Sequence, residues 1–241
     1  YLWHENSGEP ATVNWGWSLA KGEYFTQINS DDIVDKDLFK EIVKVMDENK
    51  DKIVAYTDYN FIDENDNIIL KQKNIDWNFI DALSKFSCYP AMVGTFIRKS
   101  ALENWNYIRT NKYKYINDIE MYWSMALVGD FIHIPKNLVS WRQHKGQISV
   151  DRVESIKEVE EWFNEYFERK DLPEEVLNIK DKVRKTIVAY FINLAKNSSL
   201  DLDKKREIIK RYKKELNKIK NRKKQIIFFG IAYDEKYFIL Y

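Results

Sequence analysis

The chain has 241 residues, of which 44% are hydrophobic and 15% aromatic, so it can bury a sizeable core and is not a disordered protein. Its formal net charge is +1, so no overall positive field indicates a nucleic-acid partner. Cys88 is the only cysteine, which excludes an intrachain disulfide or a cysteine-rich zinc site and favours a cytoplasmic location.

The first informative element is a short apolar run that ends in two adjacent carboxylates. Residues 24–28 predict a strand, and Asp31 and Asp32 follow at its carboxyl end. These carboxylates cannot be buried unpaired without a large desolvation cost, so solvent or a cation must meet them. Oxygen ligands on a loop suit Mg²⁺ or Mn²⁺, which complete their coordination with water and phosphate. In the alternative interpretation, Asp32 is the N-cap of a helix whose apolar face begins at Leu38.

The rest of the first 150 residues predicts helices alternating with strands. The predicted elements are a helix ending near Lys50, strands at 53–59 and 68–70 joined by a turn at 63–67, a strand at 92–97, a helix from 117 to 129, and a strand at 131–134. This order indicates an α/β domain over residues 1–150.

Beyond this domain the sequence predicts a helical region over residues 151–224. Apolar residues recur at helical spacing over 153–167 and 176–194, and a third helix is predicted over 202–221. Lys and Arg cover most of the third helix, which leaves two interpretations. The basic face is either a solvated surface or a site of attraction to an acidic polymer or anionic lipid, such as the inner membrane. No run approaches the roughly 20 apolar residues of a membrane span.

The last segment, residues 225–241, opens with a β-rich run followed by Gly230. This pattern predicts either a strand added to an existing sheet or the start of a further unit.

Several short motifs occur in a characteristic order. They are Asn14-x-Gly16, Ala20-x-Gly22-Glu23-Tyr24, Ser30-Asp31-Asp32, Tyr56-x-Asp58-Tyr59, Gly94-x-x-x-Arg98-Lys99-Ser100, Asp118-x-Glu120 and Trp141-Arg142-x-His144. Their order and spacing, over roughly residues 6–149, resemble family 2 glycosyltransferases with the GT-A fold. The resemblance implies an α/β, Rossmann-like mixed sheet. It also implies transfer of a sugar from a nucleotide-diphosphate sugar to an acceptor hydroxyl, with inversion and with Mg²⁺ or Mn²⁺.

The resemblance implies that the acidic motif Ser30-Asp31-Asp32 binds the nucleotide-sugar donor. Asp31 is expected near the donor ribose, and Asp32 is expected to contact the metal on the diphosphate. Asn29 departs from the family, because many members have a third Asp at this position. Asn29 is still expected at the donor-binding site, because an amide can accept a hydrogen bond or act as a ligand, but it carries less charge, so we expect a lower metal affinity.

Asp118 matches the position of the family's general base. An inverting displacement needs a carboxylate that takes the acceptor proton as the acceptor oxygen attacks. Two alternatives stay open: Asp118 is instead the N-cap of its helix, or Glu120 is the base. Asn117 stands where the family usually has an acidic residue.

Arg142 and His144 match a terminal segment that closes over the donor diphosphate in many relatives. Arg142 is expected to meet phosphate oxygens, and a neutral nitrogen of His144 is expected to complete the metal coordination. The alternative is that His144 is simply hydrogen-bonded within the fold.

The resemblance also predicts an N-terminally incomplete domain, because relatives begin with a nucleotide-binding segment that would lie before Tyr1. We expect a fragment rather than a degenerate relative. The expected partners are a nucleotide sugar and a glycan, lipid-linked or protein acceptor in bacterial polysaccharide synthesis. Two other classes stay open: a non-catalytic binding or scaffold module with this fold, and a metal-dependent nucleotidyl or phosphoryl transferase.

Overall fold

The computed structural model describes residues 3–90, 93–104, 109–144 and 153–224. The chain forms two compact units, Tyr1–Gln147 and Ile148–Tyr241. The strand predicted near residues 225–230 lies outside the described residues.

The first unit is a mixed sheet with helices between its strands. The strands are β1 (Tyr24–Thr26), β2 (Ile33–Val34), β3 (Lys52–Ile62), β4 (Ile68–Gln72), β5 (Thr95–Arg98) and β6 (Asp130–Arg142). The helices are α1 (Glu9–Leu19), α2 (Leu38–Glu48), α3 (Phe79–Lys85), α4 (Lys99–Asn104) and α5 (Asn117–Met125).

The strand order is β1-β5-β3-β6-β2, and β4 pairs with the carboxyl end of β3. Strands β3 and β6 are parallel, whereas the other described pairs are antiparallel. A parallel pair needs a long crossover, and here β4, α3, β5, α4 and α5 lie between the two strands in the sequence. The predicted mixed α/β sheet followed by a helical region is confirmed.

The core of this unit lies around β3. Val54 and Tyr56 of this strand are fully buried, and Met121 and Tyr122 of α5 and Phe131 of β6 join them in one apolar cluster. Burial of side chains of this size stabilises a fold by about 1.5–3 kcal/mol each. The long strand β3 is therefore the element around which the others pack.

Helix α2 shows why the N-cap interpretation of Asp32 is wrong. Leu38, Ile42 and Met46 are fully buried and recur at helical spacing, and the helix begins at Leu38 with Asp37 at the N-cap position. Asp32 lies five residues before Asp37 and belongs to the preceding loop.

The N-cap interpretation of Asp118 is also wrong. Helix α5 has Ile116 at the N-cap position, and Asp118 lies in its first turn. The helix ends at Met125, and Gly129, predicted as its end, donates its backbone N–H to the Met125 carbonyl at 3.1 Å.

Strand β6 is much longer than predicted. The prediction covered only residues 131–134, and the next residue, Pro135, has no N–H to donate to a sheet. The strand continues because its register with β3 shifts there: Thr57 pairs with Ile134, and Asp58 pairs with Asn137. A bulge absorbs the proline, so β6 runs on to Arg142.

The second unit consists of helices in its described part. These are α6 (Ser155–Tyr166), α7 (Glu174–Asn178), α8 (Lys180–Asn197) and α9 (Leu202–Lys224). Phe191 of α8 packs on Tyr212 of α9 with ring centroids 4.8 Å apart. Arg184 of α8 donates to Glu215 of α9 at 2.6 Å. No described helix combines the length and apolarity needed to cross a bilayer.

Gly94, which precedes β5, offers a test of the packing between β3, β5 and β6. Its φ is +77°, and an added Cβ would lie 2.7 Å from Thr57 Oγ1 and 2.9 Å from Val139 Cγ2. Backbone strain and overpacking together should make Gly94→Ala less stable by about 2–4 kcal/mol in urea unfolding. The matched control is Gly16→Ala in α1, where an added Cβ meets nothing within 4 Å. Because alanine favours helix, this variant should be neutral or up to about 1 kcal/mol more stable. Equal stability of the two variants would contradict the packing described for Gly94.

Candidate active site

Pairing of β2 with β6 brings together two distant parts of the sequence. Ile33 pairs with Ser140 and Val34 with Val139. Residues 29–32, here called the acidic loop, therefore lie opposite the end of β6. Five of the predicted site residues meet there: Asn29, Asp31, Asp32, Arg142 and His144.

Asp32 is held through both carboxylate oxygens. Its Oδ1 accepts a hydrogen bond from the backbone N–H of Arg142 at 3.0 Å, and its Oδ2 accepts one from Asn29 Nδ2 at 3.0 Å. Burial raises the pKa of this carboxyl, and these two hydrogen bonds lower it to a smaller extent. The ionised form of Asp32 is thus costly in this loop, which favours a cation beside it.

Asp31 and His144 form the second contact of the site. Asp31 Oδ2 lies 3.2 Å from His144 Nε2, and both side chains are about one-third exposed, 38% and 34%. The predicted metal ligand His144 is therefore beside the acidic loop, where it contacts Asp31. Its role toward a metal stays a prediction.

Arg142 links the acidic loop to a second loop. Its Nε donates to the Asp31 carbonyl at 2.8 Å, and its Nη1 donates to the Asp63 carbonyl at 2.7 Å. Its Nη2 donates to Asp66 Oδ1 at 2.5 Å. Residues 63–67 form the turn between β3 and β4, here called the hairpin turn. Much of the guanidinium is thus directed to protein oxygens, and the predicted phosphate contact of Arg142 stays a prediction.

Asp118 lies in a different environment from the acidic loop. Its Oδ1 accepts a hydrogen bond from the backbone N–H of Ile119 at 2.8 Å. Its charge also helps to raise the pKa values of Cys88 and Tyr122, although burial is the main cause for both. Among the contacts described for Asp118, none is with residues 29–32. Glu120 accepts a hydrogen bond from Ser124 Oγ of the same helix at 2.9 Å.

Two residues of the site were missed by sequence reasoning. Arg109 Nη1 donates to Gln27 Oε1 at 2.7 Å and to Glu9 Oε1 at 3.1 Å, and Gln27 Nε2 in turn donates to Asn29 Oδ1 at 3.1 Å. The only sequence signal was alternation, because Gln27 and Asn29 are two residues apart after an extended strand. Nothing in the sequence pattern pointed to Arg109.

A further polar cluster fastens the segment after β4 to the sheet. His133 Nε2 lies 2.8 Å from Asp58 Oδ1, and His133 Nδ1 lies 3.3 Å from Asp76 Oδ1. Asp58 Oδ1 also accepts the backbone N–H of Asn74 at 2.8 Å. The side chains of His133 and Asp58 are only 5% and 6% exposed. This cluster accounts for Asp58 of the Tyr56-x-Asp58 motif as a structural residue.

The donor set of the acidic loop fits a partial metal site. In the described part of the chain, no three His, Cys, Asp or Glu side chains are grouped as a metal site on their own. Asp31 nevertheless contacts His144, and Asp32 lies in the same loop, at one edge of the sheet. Mg²⁺ and Mn²⁺ at nucleotide sites often take one or two protein carboxylates and complete their coordination with phosphate and water.

Comparison with known sequences gives a family and a relative. The sequence profile described as Glycosyl transferase family 2 matches residues 1–121. An uncharacterized glycosyltransferase of Rickettsia prowazekii is 23% identical over 204 residues, which are 82% of this chain. The chain spans 63% of the length of that relative.

Comparison with solved structures gives two similar folds. Staphylococcus aureus TarS, residues 1–349, superposes with a TM-score of 0.53 at 11% identity, and the match covers 95% of this chain and 74% of that 1–349 chain. The mannosyltransferase PcManGT of Pyrobaculum calidifontis, in complex with GDP-Man and Mn²⁺, superposes with a TM-score of 0.52 at 12% identity. That match covers 90% of this chain and 64% of PcManGT. At these identities the likeness concerns the fold.

Proposed function

The chain belongs to glycosyl transferase family 2, and we propose that it transfers a sugar from a nucleotide-diphosphate sugar to an acceptor hydroxyl, with inversion. The family match covers residues 1–121 of 241, and the fold is of the GT-A type. A structural neighbour that is a mannosyltransferase in complex with GDP-Man and Mn²⁺ supports a nucleotide-sugar donor and a divalent cation.

The gathering of Asn29, Asp31, Asp32 and His144 at one sheet edge is the observation that supports the proposal most. Asp31 and His144 are 113 residues apart in the sequence, and the β2–β6 pairing and the hydrogen bonds of Arg142 to the acidic loop bring them together. Residues that merely capped helices or covered the surface would not need to meet in this way.

We assign roles at the donor site from these contacts. Asp32 and His144 would hold Mg²⁺ or Mn²⁺, while Asn29 and Asp31 would contact the donor. A bound cation would offset the negative charge of the departing diphosphate. Arg142 fixes the acidic loop through the Asp31 carbonyl, and we propose that it also faces a phosphate.

Asp118 is the proposed general base. As the acceptor oxygen attacks the anomeric carbon, its proton passes to a carboxylate oxygen of Asp118. The bond from the anomeric carbon to the phosphate oxygen then breaks, and the diphosphate leaves with the electron pair. Because Oδ1 of Asp118 accepts the Ile119 N–H, Oδ2 is the oxygen that we assign to the proton.

Nucleotide binding tests the donor site. We expect the protein to bind GDP or UDP more tightly with Mn²⁺ than without it in isothermal titration calorimetry. Asp32→Ala should remove most of that gain, at least tenfold in affinity, because it removes a ligand of the cation. The control is Asp51→Ala, which removes a carboxylate at a side-chain exposure of 72% and should bind as the wild type does.

This binding experiment, together with product analysis after incubation with a nucleotide sugar, separates the other classes of function. Failure of the wild type to bind either nucleotide would favour a non-catalytic module. Reaction at phosphorus, with the sugar–phosphate bond intact, would favour a phosphoryl or nucleotidyl transferase.

Turnover tests the base. Asp118→Asn should lower kcat by about 100- to 10,000-fold, because an amide cannot take the proton, while donor affinity should change little. The matched variant is Glu120→Gln, two residues along the same helix, which should keep most of the activity. Loss of turnover in Glu120→Gln alone would make Glu120 the base, and loss of donor binding in Asp118→Asn would make Asp118 structural.

We further propose that the protein is cytoplasmic and contacts anionic lipid through α9. Residues 202–224 carry twelve Lys and Arg and three Asp and Glu, in a chain whose net charge is only +1. Lys210, Lys213, Lys214 and Lys218 are exposed and share one face of the helix, while Tyr212 is buried. Such a stripe is attracted to the negative surface of a membrane by about 1 kcal/mol for each basic residue. This contact would place the enzyme near a lipid-linked acceptor.

Vesicle co-sedimentation tests this contact. Changing these four lysines to Gln should reduce binding to phosphatidylglycerol vesicles at least tenfold, with no effect on the weak binding to phosphatidylcholine vesicles. The control changes four exposed lysines elsewhere in the same unit, Lys170, Lys180, Lys182 and Lys196, to Gln. Equal losses in both variants would show that net charge rather than the α9 stripe is responsible.

A further inference from the structure

A chain of side-chain hydrogen bonds runs from a buried arginine to Asp32. Arg109 Nη1 donates to Gln27 Oε1 at 2.7 Å, and Gln27 Nε2 donates to Asn29 Oδ1 at 3.1 Å. Asn29 Nδ2 then donates to Asp32 Oδ2 at 3.0 Å. Three residues of one loop, Gln27, Asn29 and Asp32, thus form one connected series with Arg109, which is 82 residues away from Gln27 in the sequence.

The arginine end of this series is firmly held. The side chain of Arg109 is 1% exposed, and its charge is paired with Glu9 at 3.1 Å. The Arg109 carbonyl accepts a hydrogen bond from Asn14 Nδ2 at 2.8 Å. Both partners belong to α1, so this helix fixes the guanidinium and its backbone together.

The two ends of the series determine the direction of every bond between them. A guanidinium only donates, so Gln27 must present its oxygen to Arg109. Its amide nitrogen then faces Asn29, which must accept with its own oxygen. An ionised carboxylate only accepts, so Asp32 requires the nitrogen of Asn29. Both middle residues must therefore accept and donate at once, which amides do and carboxylates do not.

We propose that Arg109, Gln27 and Asn29 form a positioning relay that orients the carboxylate of Asp32, and that the relay requires an amide at position 29. This inference rests on the proposed role of Asp32 at the donor site. It gives a different account of Asn29 from the sequence interpretation, which treated the amide as a weaker ligand. Here the amide of Asn29 is the hydrogen-bond donor that holds Asp32, and a carboxylate at position 29 would repel the carboxylate of Asp32.

The backbone N–H of Arg142 reports on the orientation of Asp32 without any ligand. It donates to Asp32 Oδ1 at 3.0 Å, so a carboxylate that turns away leaves this N–H open to solvent. Loss of one such bond should raise its hydrogen-exchange rate by about tenfold. This readout belongs to the loop alone and does not depend on nucleotide or metal binding.

Two nearly isosteric variants break the relay at different points. Asn29→Asp removes the hydrogen-bond donor to Asp32. Gln27→Glu removes the hydrogen-bond donor to Asn29 and to Glu9 Oε1, which lies 3.0 Å from Gln27 Nε2, while keeping the acceptor for Arg109. Each should speed exchange of the Arg142 amide about tenfold and weaken Mn²⁺–GDP binding by about 10- to 100-fold, the usual range for residues that orient metal ligands. Because both act through one series, the double variant should lose no more than the larger single loss.

The matched control is Asn193→Asp in the second unit. Asn193 only accepts in its described contact, from Asn197 Nδ2 at 3.2 Å, so a carboxylate keeps that contact. In this variant, exchange of the Arg142 amide and binding of Mn²⁺–GDP should equal those of the wild type.

Each outcome of the experiment decides the proposal. Unchanged exchange of the Arg142 amide in Asn29→Asp would overturn the relay, as would tighter Mn²⁺–GDP binding in that variant or multiplying losses in the double variant. If exchange rises as expected but the wild type binds no nucleotide, the relay stands as a positioning device and the proposed donor site fails.

Discussion

The parallel pairing of β3 with β6 is the contact on which the rest of the first unit depends. It runs from Lys52 opposite Asp130 to Ile62 opposite Arg142. Strands β4 and β5 pair with β3, and β2 pairs with β6, so both edges of the sheet are attached through this one ladder. The bulge at Pro135 matters for function because it lets β6 continue. A strand that ended at the proline would leave β2, and with it the acidic loop, without a partner.

The site places a carboxylate whose ionised form is destabilised by burial at the edge of the sheet. Asp32 accepts two hydrogen bonds, yet burial still raises its pKa, so the fold does not fully compensate its charge. The protein often leaves the charge of a binding-site residue partly uncompensated, because the bound ligand supplies the compensating charge. In the proposed function, the missing partner is the divalent cation that arrives with a nucleotide diphosphate.

Sequence reasoning found the parts of the fold and site that carry a local pattern. The α2 stripe of Leu38, Ile42 and Met46 repeats at helical spacing, and Asp31 and Asp32 stand out as acids after an apolar run. Strand β2 has only two residues, Ile33 and Val34, and its signal lies entirely in the β6 partner. The full length of β6 was hidden because Pro135 normally ends a strand and only the bulge explains its place.

The relay residues were hidden for a related reason. Gln27 and Arg109 are 82 residues apart, and neither an amide nor an isolated arginine indicates a site in a sequence without its contacts. Asp118 shows the opposite case. Its motif indicated a role, whereas its described hydrogen bond is within its own helix and its charge acts on Cys88 and Tyr122.

The attachment of Arg142 to the hairpin turn has a consequence for how this protein can vary. Turns between adjacent strands usually tolerate insertions and deletions, because they lie at the surface and hold nothing else. This turn offers the Asp63 carbonyl and the Asp66 carboxylate to Arg142, and Arg142 holds the Asp31 carbonyl. A change in the length of the hairpin turn would remove the contacts that hold Arg142, and the acidic loop would then lose its attachment to Arg142. Relatives that use the same arrangement should therefore keep the length of this turn constant even where its sequence drifts, and loop grafting there should impair the proposed donor site before it unfolds the domain.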